Sequence, residues 1–274
     1  MSPAEPTSQP DDPTSLATIK QLTVISRGPG PQPNANTDDA GEVATWPAPA
    51  DRAPDNTHRS KARQIEWASI RPEVLQSCSV ALRRMGDSSI GSIAVTSTSR
   101  GEGRTTVALG LAATASLELR RKTILLDLDL EHGAIEKMTA VGPGPGVVEF
   151  LYEEASIEDC LQPVDSDVDI VRAGLLRDRG GVATRIERLA DLIQQLGDRC
   201  DVMVADLPPM SSGVTAARIA DLFESVTLVV RAGGVTVPDI EQTASVLSQR
   251  PFVILNGTAA PRSSWVHRIL GGRP

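Results

Sequence analysis

The stretch SIAVTSTSRGEGRTTVALGLAATASLEL, residues 92–119, passes from a strand-length apolar run through a glycine-bearing loop into a helical pattern. Ser92 to Ser97 reads as a strand and Thr105 to Leu119 as a helix, with Gly101 and Gly103 between them. In that order, successive main-chain N–H groups line a concavity and the helix contributes the positive end of its dipole. Glycines at 101 and 103 let the backbone close around phosphate oxygens, and the Thr105 hydroxyl is placed to ligate Mg²⁺. Thr106 adjoins it in the same turn. Glu102, within the loop, is expected to turn its carboxylate to solvent. A nucleoside triphosphate fits such a loop.

Outward from this segment, apolar runs of strand length alternate with helical patterns. The runs are Thr123 to Asp129, Val168 to Arg172, Val202 to Asp206, Val226 to Val230 and Phe252 to Asn256, and the helical patterns are Val182 to Leu196, Val214 to Leu222 and Pro238 to Leu247. That alternation predicts an α/β fold, a mostly parallel sheet with helices on both faces. Aromatic residues make up only 3% of the chain, so aliphatic side chains must fill strands buried on both faces. In such sheets ligands bind beyond the carboxyl ends of the strands. There the sequence places Asp127 and Asp129, two residues apart in TILLDLD, and Asp206 in VMVADLPPM. Carboxylates beside a phosphate loop are expected to hold Mg²⁺ or to position an attacking group. Asn256 closes FVILN and either reads an adenine through its amide or makes the turn before Gly257.

The rest of the chain is organised around this unit, which is expected to span residues 89–274. Residues 1–60 hold half of the 20 prolines and few apolar residues, which predicts a disordered arm. Within it, Leu16 to Ser26 is a short apolar island. Residues 61–88 read as a helical lead-in, with Ile65, Val74, Leu75, Val80 and Leu82 as its apolar positions and a break at Arg71-Pro72. A net charge of −8 argues against nucleic acid as a partner. Cys78, Cys160 and Cys200 form no CxxC pair, which suits a reducing cytoplasm and neither a zinc site nor a disulfide framework. His132 and His267 stand isolated. No apolar run reaches the roughly 18 residues that span a bilayer, and no standard secretory signal opens the chain. The end of the chain, with Trp265, Val266, Ile269 and Leu270 beside Arg262, His267 and Arg268, either packs on the domain as a terminal helix or touches a membrane surface.

TSTSRGEGRTT, LLDLDLEHG, VMVADLPPM and VILNG together resemble the phosphate loop, second acidic motif, DxPP motif and adenine-side Asn of the bacterial tyrosine kinase (BY-kinase) family. Gly146 to Pro163 and Val226 to Arg231 are similar to that family's intervening segments, so the resemblance runs from about Gly91 to Thr258. It implies a P-loop NTPase of the MinD/ParA-like, deviant Walker A scaffold. By implication Gly101, Glu102, Gly103, Arg104, Thr105 and Thr106 surround the phosphates of ATP, Thr105, Asp127 and Asp206 hold Mg²⁺, and Asn256 faces the base. Arg104, Asp127, Asp129 and Asp206 would then act in phosphoryl transfer, Asp129 towards the acceptor. The family's partners are transmembrane polysaccharide co-polymerases, or chain-length determinants, of capsule and exopolysaccharide synthesis. That implies a cytoplasmic protein held at the inner membrane through such a partner; a homo-oligomer stays open.

The departures from the family pattern are specific. Arg104 stands where the loop Lys belongs, Thr98 where its first Gly belongs, Glu131 replaces an Arg, and Leu207 replaces the Thr or Ser of DxPP. Tyr152 is the only tyrosine, so no tyrosine-rich tail is available for phosphorylation, and Glu73 is not followed by the arginines of an ExxRxxR assembly motif. The reading is an ATP-binding regulator of polysaccharide polymerisation and export, with kinase activity weakened or lost. The alternatives are a ParA/MinD-type positioning ATPase, against which Ser99 stands in place of the signature Lys, and a catalytically dead scaffold.

Overall fold

A computed structural model describes residues 70, 72–86, 91–139, 141–176 and 182–257. The expected arm of residues 1–60, most of the lead-in before Pro72 and the amphipathic stretch after Gly257 lie outside the described residues.

Seven strands form one sheet: β1 (Ser92–Ser97), β2 (Thr123–Asp127), β3 (Leu161–Asp165), β4 (Val168–Val171), β5 (Val202–Asp206), β6 (Ser225–Arg231) and β7 (Phe252–Asn256). Their order is β3-β4-β2-β5-β1-β6-β7, and every pair is parallel except β3 with β4. The mostly parallel α/β sheet expected from the alternation is therefore present. β3 was not among the expected strands. It sits at the edge, contains Pro163 and changes register between Pro163 and Asp165, and proline is tolerated in a sheet only at such an edge.

The helices are α1 (Pro72–Met85), α2 (Arg104–Leu117), α3 (Ala134–Thr139), α4 (Val147–Leu151), α5 (Ile157–Cys160), α6 (Ile186–Gly197), α7 (Val214–Ala220) and α8 (Val237–Ser245). In α6, Leu189, Leu192, Ile193 and Leu196 recur at helical spacing and are buried with Ile124 and Met203 of the sheet. Each such side chain contributes about 1.5–3 kcal/mol on burial.

On the opposite face lies α2, buried along nearly its whole length. It is pressed between the sheet and α1, which explains its run of Ala and Gly. Gly110 shows how close α1 comes: a Cβ there would stand 2.8 Å from Cys78 Sγ and 3.1 Å from Val74 Cγ1. Val74 and Leu82 of the lead-in are buried as expected, whereas Val80 is exposed.

Strand order also sets up the site. Because β5 lies between β1 and β2, Asp206 is in register with Val95 on one side and with Asp127 on the other. The loop after β1 thus opens beside both strand-end carboxylates.

Candidate functional site

The loop Thr98 to Gly103 leaves β1 and delivers Arg104 as the first residue of α2. Gly101 and Gly103 take φ of 80° and 90°, left-handed values that other residues adopt only with strain. At Gly103 space is restricted as well, since a Cβ would fall 2.0 Å from Asn256 Nδ2. Asn256 donates from that nitrogen to the Glu102 carbonyl at 2.8 Å and accepts from the Gly257 N–H, also at 2.8 Å. Its amide is thereby tied to the loop as well as to the turn.

Glu102 departs from expectation. It is 3% exposed, and its carboxylate accepts from the Ser99 N–H at 2.8 Å and from the Arg231 N–H at 3.3 Å. Two main-chain donors offset the cost of burying a carboxylate, and the contact fastens the loop to the end of β6. Motif reading missed this role, although a Glu three residues after Ser99 has the spacing of a side chain that closes its own turn.

The loop remains equipped for an anion. Amides in the first turn of a helix have no partner further back within it, and none of the described residues accepts from those of Arg104 and Thr105. Above Gly101 a Cβ would meet nothing within 4 Å. Thr98 Oγ1 is a buried hydroxyl without a partner among the described residues, a deficit of about 1–3 kcal/mol that a phosphate oxygen or water would relieve. These features fit a nucleotide polyphosphate.

The carboxylates are brought together as the sequence implied, but their partner is Arg104. Its guanidinium is buried, donating from Nε to Asp206 Oδ1 at 2.8 Å and from Nη2 to Asp129 Oδ2 at 2.5 Å. Thr105 Oγ1 donates to the other Asp206 oxygen at 2.6 Å. β2 ends at Asp127, so Asp129 lies just past it and donates its N–H to Asp127 Oδ1 at 3.1 Å, while the Ile135 N–H donates to Oδ2 at 3.2 Å. Asp127 is wholly buried; burial and the neighbouring Asp206 charge push its carboxyl up to about 8, against the pull of those two amides. Burial also raises Asp206, with Arg104 and Thr105 drawing it back.

A divalent ion does not fit this arrangement. Asp129 and Asp206 already share one buried cation, and a second cation beside the guanidinium would meet like charge at low dielectric.

His132, isolated in sequence, approaches Asp129 Oδ1 through Nδ1 at 3.2 Å and meets Arg100 Nη1 at 2.8 Å and 2.5 Å through its two ring nitrogens. Glu131 pairs with Arg100 at 3.4 Å, an exposed contact of little energetic weight. No motif pointed to this cluster at the rim.

No family model matches the chain. It is 25% identical over 167 residues to the tyrosine-protein kinase wzc of Salmonella typhi, covering 59% of this chain and 23% of that protein. It is 24% identical to the tyrosine-protein kinase CpsD of Streptococcus pneumoniae serotype 4, covering 68% of this chain and 82% of that one. The chain thus spans about a quarter of the first relative and most of the second. Among solved structures, the VpsO kinase domain superposes with a TM-score of 0.59 at 28% identity, over 66% of this chain and 95% of that domain. None of the helices among the described residues is long and apolar enough to cross a membrane.

Proposed function

We propose that this chain, a BY-kinase-like P-loop protein in sequence and fold, is a nucleotide-binding regulator of capsule or exopolysaccharide polymerisation and export. It docks on the cytoplasmic face of a transmembrane polysaccharide co-polymerase and has lost protein-tyrosine kinase turnover. The observation that carries the reading is the pairing of an open anion-binding loop with carboxylates already bridged by Arg104. The loop supports nucleotide binding. Loss of turnover is supported by the occupied carboxylates, because phosphoryl transfer depends on groups free to position the nucleophile and neutralise developing charge. The one tyrosine, Tyr152, supports it too: it packs against Arg185, whose guanidinium carbon lies 4.0 Å from the ring centroid.

The test is calorimetry of the purified chain with ATP and ADP, alongside incubation with γ-labelled ATP and the cytoplasmic segments of the co-polymerase. Saturable binding at micromolar to millimolar Kd, roughly −8 to −4 kcal/mol, is expected. Binding should be lost in Gly103→Ala, and no label should enter tyrosine. Absence of binding removes the nucleotide from this reading; tyrosine labelling above background removes the loss of turnover.

A further inference from the structure

We propose that Arg104 takes the place of the divalent metal ion in this site, so that the chain binds nucleotide polyphosphate without Mg²⁺. The inference rests on the nucleotide reading above and adds what the site requires to perform it.

The argument begins with geometry. The guanidinium is planar and presents donors in fixed, divergent directions, so one side chain reaches Asp206 through Nε and Asp129 through Nη2. A lysine ammonium on the same stem is a point charge with a hydration preference that makes it mobile between partners. It would not hold both carboxylates in that divergent way. The pair of contacts is buried, with the Arg104 side chain 9% exposed, and Thr105 closes the remaining Asp206 oxygen.

Charge leads to the same place. Asp129 and Asp206 already share the buried guanidinium of Arg104, and Thr105 donates to the second Asp206 oxygen. Exchanging Arg104 for a free divalent ion would break both of its buried ion pairs. Adding the ion beside it would place two cations together out of water. The polyphosphate would then be met by first-turn amides, the helix dipole and Arg100 at the rim, none of which needs a metal.

The experiment has two arms on the full chain. In the first, ATP and ADP affinities are measured in excess MgCl₂ and in EDTA. The two should agree within about threefold for the natural chain, a difference under roughly 0.7 kcal/mol, while Arg104→Lys should bind at least about tenfold more tightly with Mg²⁺ than without. A natural chain that loses about tenfold or more in EDTA overturns the proposal while leaving the nucleotide reading intact.

The second arm uses no nucleotide. Melting is followed against MgCl₂ for the natural chain and for Arg104→Met and Arg104→Lys. The natural chain should be indifferent to the ion, and the variants should melt lower and be raised by it. A natural chain that the ion stabilises as much as the variants overturns the assignment. Should Arg104→Met not fold, Arg104→Lys carries the comparison. Absence of nucleotide binding in both buffers sinks the nucleotide reading, and the melting series then decides the role of Arg104 alone.

Discussion

Asp127 accepts from two main-chain N–H groups, yet burial and Asp206 hold its carboxyl near 8. In the unfolded chain the same group ionises near its ordinary value of 3.8. Between those limits the folded protein carries the extra proton, so the stability that proton supports is complete below about pH 4 and is lost as pH rises through about 8. The slope from this group is at most about 1.4 kcal/mol per pH unit. Denaturant titrations from pH 4 to 9 should show a steeper decline for the natural chain than for Asp127→Asn; equal slopes would mean that Asp127 is ionised in the folded state. Removing the guanidinium should cost more at a single pH. Arg104→Met leaves the buried Asp129 and Asp206 without their cation, a loss of about 3–5 kcal/mol in the same titrations, and a change under about 1 kcal/mol would contradict the bridging contacts. At this scale the sequence was legible for which acids stand at strand ends; that Asp127 and Asp206 lie side by side follows from the pairing of β2 with β5. The destination of Arg104 was not legible: it depends on the register of β2 and β5 across about 25 and 100 residues of chain, and no local motif encodes that.

The phosphate loop acts as one element because three contacts brace it: Glu102 to β6, Asn256 to the Glu102 carbonyl, and the Ser97 hydroxyl to the Ser99 carbonyl at 2.7 Å. Its two glycines separate strain from space. Gly101→Ala meets only the left-handed φ, at a cost of about 1–2 kcal/mol. Gly103→Ala meets that strain and the Asn256 amide together, and should be worse by a further 1 kcal/mol or about that. A double-mutant cycle separates the parts: in an Asn256→Ala background the excess at Gly103 should vanish, and strict additivity of the two substitutions would show that Asn256 does not press on the loop. The strand, loop and helix could be read from residues 92–119 because local propensity and periodicity agree there. β3 could not, since LQPVD contains a proline and is held at the edge by pairing with β4 alone. The burial of Glu102 was equally hidden, because its second donor arrives from Arg231, 129 residues away.

Across the whole molecule the site sits over a helix clamped on both sides. α2 carries Arg104 and Thr105 at its first turn, rests on the sheet with its inner face and is roofed by α1, so the lead-in bears on the site through the seating of one helix. The closest point of that roof is Gly110 beneath Cys78, a thiol that burial and the nearby Glu118 push up to about 12. A buried thiol in its protonated form is nearly inert to alkylating reagents at pH 8, so labelling of Cys78 reports α1 lifting from α2. Gly110→Ala sets two effects against each other. Helix propensity gains about 1 kcal/mol, whereas a methyl 2.8 Å from Cys78 Sγ overpacks a closed interface at about 1–3 kcal/mol. Overpacking should win, because the sulfur is short, buried and cannot swing aside. Gly110→Ala is therefore expected to destabilise the chain by about 1 kcal/mol and to speed labelling of Cys78 severalfold, read site by site by mass spectrometry. In a Cys78→Ala background the same substitution should cost less, since the nearest obstructing atom is gone and Val74 Cγ1 at 3.1 Å is the tight contact that remains against the propensity gain. If Gly110→Ala destabilises equally in both backgrounds, α1 does not seat on α2 at that point, and the lead-in has no mechanical route to the phosphate loop.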